Sequence, residues 1–211
     1  MPDFVNKLLD NNQKWVDEIR KTDPEYFQRL GDKHEPIVLW IGCSDARVPA
    51  NQITGTSPGQ VFVHRNIANM VVHSDMNVLS VLSYAVEVLN IRHIVVCGHY
   101  SCGGIQAAMT NRSFGLIDNW LRHIKDVYRA HSQELDAIDD MNQRQRLLVE
   151  LNVKEQVYNL CKTSIVQNAW REGGFPYIHG WVYDVHDGIL KDLGVTFNSN
   201  EALSELYRFG I

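Results

Sequence analysis

Long apolar runs are missing from this 211-residue sequence. The longest, such as residues 37–43, fall far short of the roughly 20 residues a membrane-spanning helix needs. Runs of positive charge are missing too. Twenty Lys and Arg are scattered among 25 Asp and Glu, and the net charge of -5 weighs against a nucleic-acid partner. Cysteine is scarce, with four residues, and the opening Met1-Pro2-Asp3-Phe4 lacks a basic segment followed by an apolar one. A secreted disulfide scaffold is therefore not expected, a cytoplasmic protein is, and metal binding or a reactive thiol becomes the first reading of the cysteines. There is no internal repeat, low-complexity tract or linker. Residues 1–211 read as a single domain, large enough to bury a substantial core.

What is present is a pattern of alternating strands and helices. Phe4, Val5, Leu8, Leu9, Trp15 and Ile19 form an apolar stripe over the first thirty residues, which reads as an N-terminal helical arm. Pro36 opens a β-type run, Ile37-Val38-Leu39-Trp40-Ile41, which Gly42 is expected to stop. Val61-Phe62-Val63-His64-Arg65 is a second strand. A helix over 75–90, capped by Ser74 or Asp75, leads to a third strand, His93-Ile94-Val95-Val96-Cys97, ended by Gly98. Helices are expected over 103–110, 116–131 and 139–170. Residues 175–185, a turn at His186-Asp187-Gly188 and residues 189–193 read as a strand and its returning edge partner. The fold class is α/β: a central, mostly parallel sheet with an antiparallel edge strand, flanked by helices.

Three residues carry the chemistry. Cys43 is expected just past the end of one parallel strand, and His99, followed at spacing three by Cys102, just past the end of another. Loops at the carboxyl ends of parallel strands share one edge of a sheet, so residues distant in sequence converge there. Two thiolates and an imidazole suit one Zn²⁺ per chain. Three protein ligands rather than four leave a position for water, the mark of a catalytic site. Asp45 and Arg47 follow Cys43 by two and four residues, and in an extended loop all three side chains face one site. Such a carboxylate can fill the fourth metal position or pair with Arg47; taken alone, the pair reads as a surface ion pair. Cys97 is expected to turn away from His99 and serve as a buried small hydrophobe, and Cys161 to lie in the core.

Cys43-Ser44-Asp45-Ala46-Arg47-Val48-Pro49 and Gly98-His99-Tyr100-Ser101-Cys102-Gly103-Gly104 resemble the two signature motifs of β-class carbonic anhydrases. The resemblance runs from about Pro36 to about Val195 and includes Arg65-Asn66-Ile67-Ala68-Asn69; Ala46 stands where many members have Ser. It implies that Cys43, His99 and Cys102 ligate zinc and that Asp45 with Arg47 forms the catalytic dyad. The implied reaction is attack of zinc-bound hydroxide on carbon dioxide, giving bicarbonate and a proton. A homodimer or homotetramer is implied as well. One subset of the family closes its site with the Asp as fourth ligand and carries a non-catalytic bicarbonate site of Trp, Arg and Tyr. Trp40, Arg65 and Tyr183 stand at the matching positions, which implies an enzyme inhibited by bicarbonate and inactive near or below neutral pH. Three rivals are weighed: hydrolysis of carbon disulfide or carbonyl sulfide on the same scaffold, a zinc-stabilised interaction module, and a dinucleotide-binding oxidoreductase. The last lacks a G-x-G-x-x-G after its first strand.

Overall fold

The structure, a computed structural model, describes residues 2–210, so Met1 and Ile211 of the expected domain lie outside the described residues. The chain divides into two compact units, Met1–Glu35 and Pro36–Ile211. The first holds α1 (Pro2–Thr22) and α2 (Tyr26–Asp32). Trp15 meets Phe27 edge-on at 5.4 Å, while Phe4, Val5, Leu8 and Leu9 stand exposed along α1. The helical arm therefore extends a few residues beyond the expected boundary at 30.

The second unit is built on a five-stranded sheet in the order β2-β1-β3-β4-β5. Its strands are β1 (Val38–Cys43), β2 (Val61–Asn66), β3 (His93–His99), β4 (Tyr177–Tyr183) and β5 (Leu190–Phe197). The first four are parallel, and β5 returns antiparallel along the edge. The continuous apolar run of β1 is explained by cover on both faces. Leu39 and Ile41 point into the larger core with Ile94, Val96, Ile178 and Val182. Trp40 points the other way, into a smaller cluster with Val48, Ala50, Val95 and Cys97.

Around the sheet lie α3 (Ala50–Thr54), α4 (Met76–Ser83), α5 (Gly103–Ala108), α6 (Ile117–Ala130), α7 (Ser132–Asp136), α8 (Met141–Cys161) and α9 (Ser164–Gly173). Asp75 caps α4, its carboxylate accepting from the Asn77 amide at 2.9 Å. The helix then continues as one π turn over Tyr84–Val88.

Three expectations need correction. Gly42 does not stop β1 and Gly98 does not stop β3; each strand runs one residue further, so Cys43 and His99 are the final strand residues. The helix expected over 139–170 is two helices. Thr163 ends the first run and caps the second, its hydroxyl accepting from the Val166 amide. Residues 132–136, left unassigned by periodicity, form α7.

Candidate metal centre

β1 and β3 are adjacent and parallel, so their carboxyl ends lie side by side. Cys43 and His99 are delivered by the strands themselves, and Cys102 by the short loop that leads into α5. All three are buried, and their ligating atoms lie within 4.8 Å of one another. The two sulfurs are 3.9 Å apart. That is close to the roughly 3.8 Å expected between two thiolates of a tetrahedral zinc with 2.3 Å bonds.

The electrostatics call for a cation. Cys43 is pushed well below the usual thiol range, chiefly by the hydrogen bond from Cys102; the same contact and burial push Cys102 far up. Two sulfurs this close share a single proton, and only a cation lets both ionise. The Ala68 amide donates to the Cys43 sulfur at 3.4 Å. His99 has its Nδ1 3.0 Å from the Tyr100 carbonyl, so that nitrogen carries the proton and Nε2 presents its lone pair. Nε2 is buried without a hydrogen-bond partner. An orphaned imidazole nitrogen beside two thiols fits zinc.

Asp45 and Arg47 lie beside this set. The loop after β1 is a turn rather than extended: the Val48 amide donates to the Asp45 carbonyl at 3.2 Å, and the Arg47 amide to Asp45 Oδ1 at 2.9 Å. The Arg47 guanidinium donates to both carboxylate oxygens, at 2.9 and 2.7 Å, and also reaches the Ser101 carbonyl at 3.3 Å. This bidentate pairing holds the Asp45 carboxyl far below its usual range. Asp45 Oδ2 stands 3.7 Å from His99 Nε2. The pair therefore borders the Cys43, His99 and Cys102 group, with the Asp45 side chain 19 % exposed and that of Arg47 reaching out to solvent.

A family model described as carbonic anhydrase matches residues 38–190. A carbonic anhydrase of Emericella nidulans is 52% identical over 192 residues, covering 91% of this chain and 84% of the relative. One of two tetrameric β-carbonic anhydrases from Sordaria macrospora shares 38% identity with a TM-score of 0.89, over 92% of this chain and 99% of that one. The chain belongs to the β-carbonic anhydrase family. A Coccomyxa β-carbonic anhydrase, solved in complex with acetazolamide, is similar at a TM-score of 0.88 and 37% identity, covering 92% of this chain and 88% of that one. β-carbonic anhydrases use zinc, and the Cys43, His99 and Cys102 group offers the donors for it. No helix among the described residues is long and apolar enough to cross a membrane.

Within this carbonic anhydrase the remaining expected residues are placed as follows. Trp40, 1 % exposed, lies in the smaller core cluster, and Tyr183 packs against that cluster. Arg65 turns to the backbone of the site, its Nε donating to the Cys43 carbonyl at 2.7 Å and a terminal nitrogen to the Asp45 carbonyl. Cys97 and His99, two apart on one strand, share a strand face, so alternation does not separate them. Cys97 lies instead one step down the strand, beside Trp40, and burial raises its pKa far above the ordinary thiol range. Cys161 is buried in the core of α8, its thiol pushed up to about 12.

Sequence reasoning missed the residues that hold the loops. Asn152 donates to the Ala68 carbonyl at 3.0 Å, Gln156 accepts from the Val71 amide at 2.8 Å, and Gln145 reaches the Cys102 carbonyl at 3.5 Å. All three are buried on α8. Ala68, Asn69 and Ser101 have positive φ, a conformation that L-residues keep only where their surroundings enforce it. The only available signal was a set of polar residues on a helix otherwise rich in Val and Leu.

Proposed function

We propose that this enzyme hydrates carbon dioxide to bicarbonate and a proton, with Cys43, His99 and Cys102 as zinc ligands and Asp45 and Arg47 as the dyad beside them. The observation that carries the reading is the carboxylate oxygen 3.7 Å from the unpartnered nitrogen of the His99 ring. Zinc in this set supplies a Lewis acid that brings the acidity of water near neutrality. The side chains supply orientation. Asp45 Oδ1 is occupied by the Arg47 amide and Nε, which leaves Oδ2 as the oxygen that faces the site. Held ionised by Arg47, Oδ2 accepts a hydrogen bond from the attacking O–H and aims its lone pair. Arg65 fixes the backbone from which that carboxylate projects. A carboxylate bonded to Arg47 also argues against an interaction module in which Asp45 is a permanent fourth ligand.

The test is Asp45→Asn on zinc-replete protein, with hydration rates followed from about pH 6.5 to 9. The expected outcome is full zinc content with a loss of about 10²-fold or more in kcat/KM. Undiminished hydration would remove Asp45 from the mechanism, and no hydration by the unaltered enzyme would point to carbonyl sulfide or carbon disulfide as substrate.

We also propose closure of the site by Asp45, dependent on pH and bicarbonate, with Trp40, Arg65 and Tyr183 as the bicarbonate site. In support, Oδ2 already stands beside the ligand set, and Arg65 grips the backbone of the loop that carries it. Trp40→Phe should then weaken bicarbonate inhibition and flatten the pH profile; both unchanged would end this part of the reading. A homotetramer or homodimer is the proposed assembly, supported by the tetrameric Sordaria relatives and testable by light scattering. Four free thiols fit the reducing conditions of the cytoplasm, the proposed location.

A further inference from the structure

Tyr100 follows His99 directly, and its backbone is held on both sides. Its amide donates to the Tyr183 carbonyl at 3.0 Å, which prolongs the pairing of β3 with β4, and its carbonyl receives the His99 Nδ1 proton at 3.0 Å. The next residue, Ser101, is left-handed with φ of 57°, so the chain turns sharply as it leaves that carbonyl. A carbonyl at such a corner has no regular ladder to fix its direction. The side chain is a further anchor for it.

The Tyr100 ring is buried, 3 % exposed, and is gripped by two residues one turn apart on α8. Its hydroxyl donates to the Glu150 carboxylate. The Arg146 guanidinium lies over the ring face, 3.5 Å from the centroid. Each of those residues is anchored in turn to the β4–β5 hairpin. Glu150 pairs with Lys191 of β5 at 2.7 Å, and Arg146 donates twice to Asp184, just beyond β4, at 3.0 Å. Helix and hairpin thus close on one aromatic ring, and the main-chain oxygen of that residue decides which nitrogen of a ligand histidine carries the proton.

We infer that Glu150 and Arg146 are positioning residues for the metal centre: by clamping the Tyr100 ring they aim its carbonyl at His99 Nδ1 and so fix the tautomer that presents Nε2. The inference rests on His99 being a zinc ligand. Outer partners of this kind set metal affinity, because a ligand free to rotate or change tautomer is lost for part of the time.

The experiment compares the unaltered protein with Tyr100→Phe, Glu150→Ala and Glu150→Gln. Zinc dissociation constants come from competition with a chelator, and the His99 tautomer in metal-free protein comes from ¹⁵N imidazole spectra. Tyr100→Phe and Glu150→Ala should raise the zinc dissociation constant about 10- to 100-fold. Both should also divide the His99 signal between tautomers. Glu150→Gln, which keeps an acceptor for the Tyr100 hydroxyl, should recover most of the affinity. Tyr100→Phe removes a single oxygen atom and keeps the ring, so it decides the matter if Glu150→Ala does not fold. Folded variants with unchanged tautomer and zinc affinity within twofold would overturn the inference. If the unaltered protein itself fails to bind one zinc per chain, the assignment of His99 as a ligand falls instead.

Discussion

The two oxygens of Asp45 are unequally engaged, and the site's working geometry follows from that inequality. Oδ1 is fixed by the Arg47 amide and Nε, and Oδ2 by one Arg47 terminal nitrogen, which leaves Oδ2 room for a further bond. A planar fork holds both oxygens, and the terminal nitrogen that binds Oδ2 also reaches the Ser101 carbonyl. Arg47→Lys keeps the charge and loses the fork. Its expected effect is a fall of about 10²-fold in kcat/KM with zinc content unchanged, since the carboxylate would no longer be held to its line. Hydration assays with metal analysis check this; a lysine variant of full activity would reduce Arg47 to a source of charge. Legibility at this scale was uneven. The ligands stood out because cysteine is rare here and all three ligands fall where parallel strands end. Arg65 was legible as a member of a motif, yet its grip on the Cys43 and Asp45 carbonyls was not, because a side chain that serves main-chain atoms leaves no mark in spacing.

Among the elements, α8 is set against the sheet at a distance that only glycine permits. A Cβ on Gly98 would come within 2.6 Å of Val153 and 3.3 Å of Val149, and one on Gly180 within 3.2 Å of Val153. Gly98→Ala should therefore cost about 1–3 kcal/mol of stability. Because the displaced strand end is His99's own, zinc should bind more weakly as well. Denaturant unfolding and zinc titration check this, and an unchanged midpoint would mean that α8 can retreat freely. Gly98 also explains why β3 was read two residues short: in sequence Gly looks like a stop, whereas here it marks the close approach of a helix. The apolar runs gave the parallel sheet correctly, since burial on both faces leaves them unbroken. The break at Lys162 and Thr163 was hidden because apolar spacing continues across it into α9. Asn152, Gln156 and Gln145 were hidden for the opposite reason, since polar side chains on a helix normally report solvent and here report loops.

For the whole molecule, burial lowers the pKa values of His64, His73 and His179 below the ordinary histidine value. As pH falls through about 6.5 the unfolded chain takes up these protons before the folded one does. The stabilisation is therefore complete above that pH and is lost progressively below it. The melting temperature of zinc-free protein should fall between about pH 7 and 5.5. Replacing the three histidines by glutamine should flatten the decline, and an equally steep fall in that variant would assign it to other groups. The placement of the loop supports on α8 also bears on the order in which the protein is made. A chain emerging from the ribosome has presented Cys43, His99 and Cys102 before residues 145–156 exist to secure the Ala68, Val71 and Cys102 backbone. The ligands come first and their scaffold last, so the nascent chain acquires a finished centre only once its second half has been synthesised.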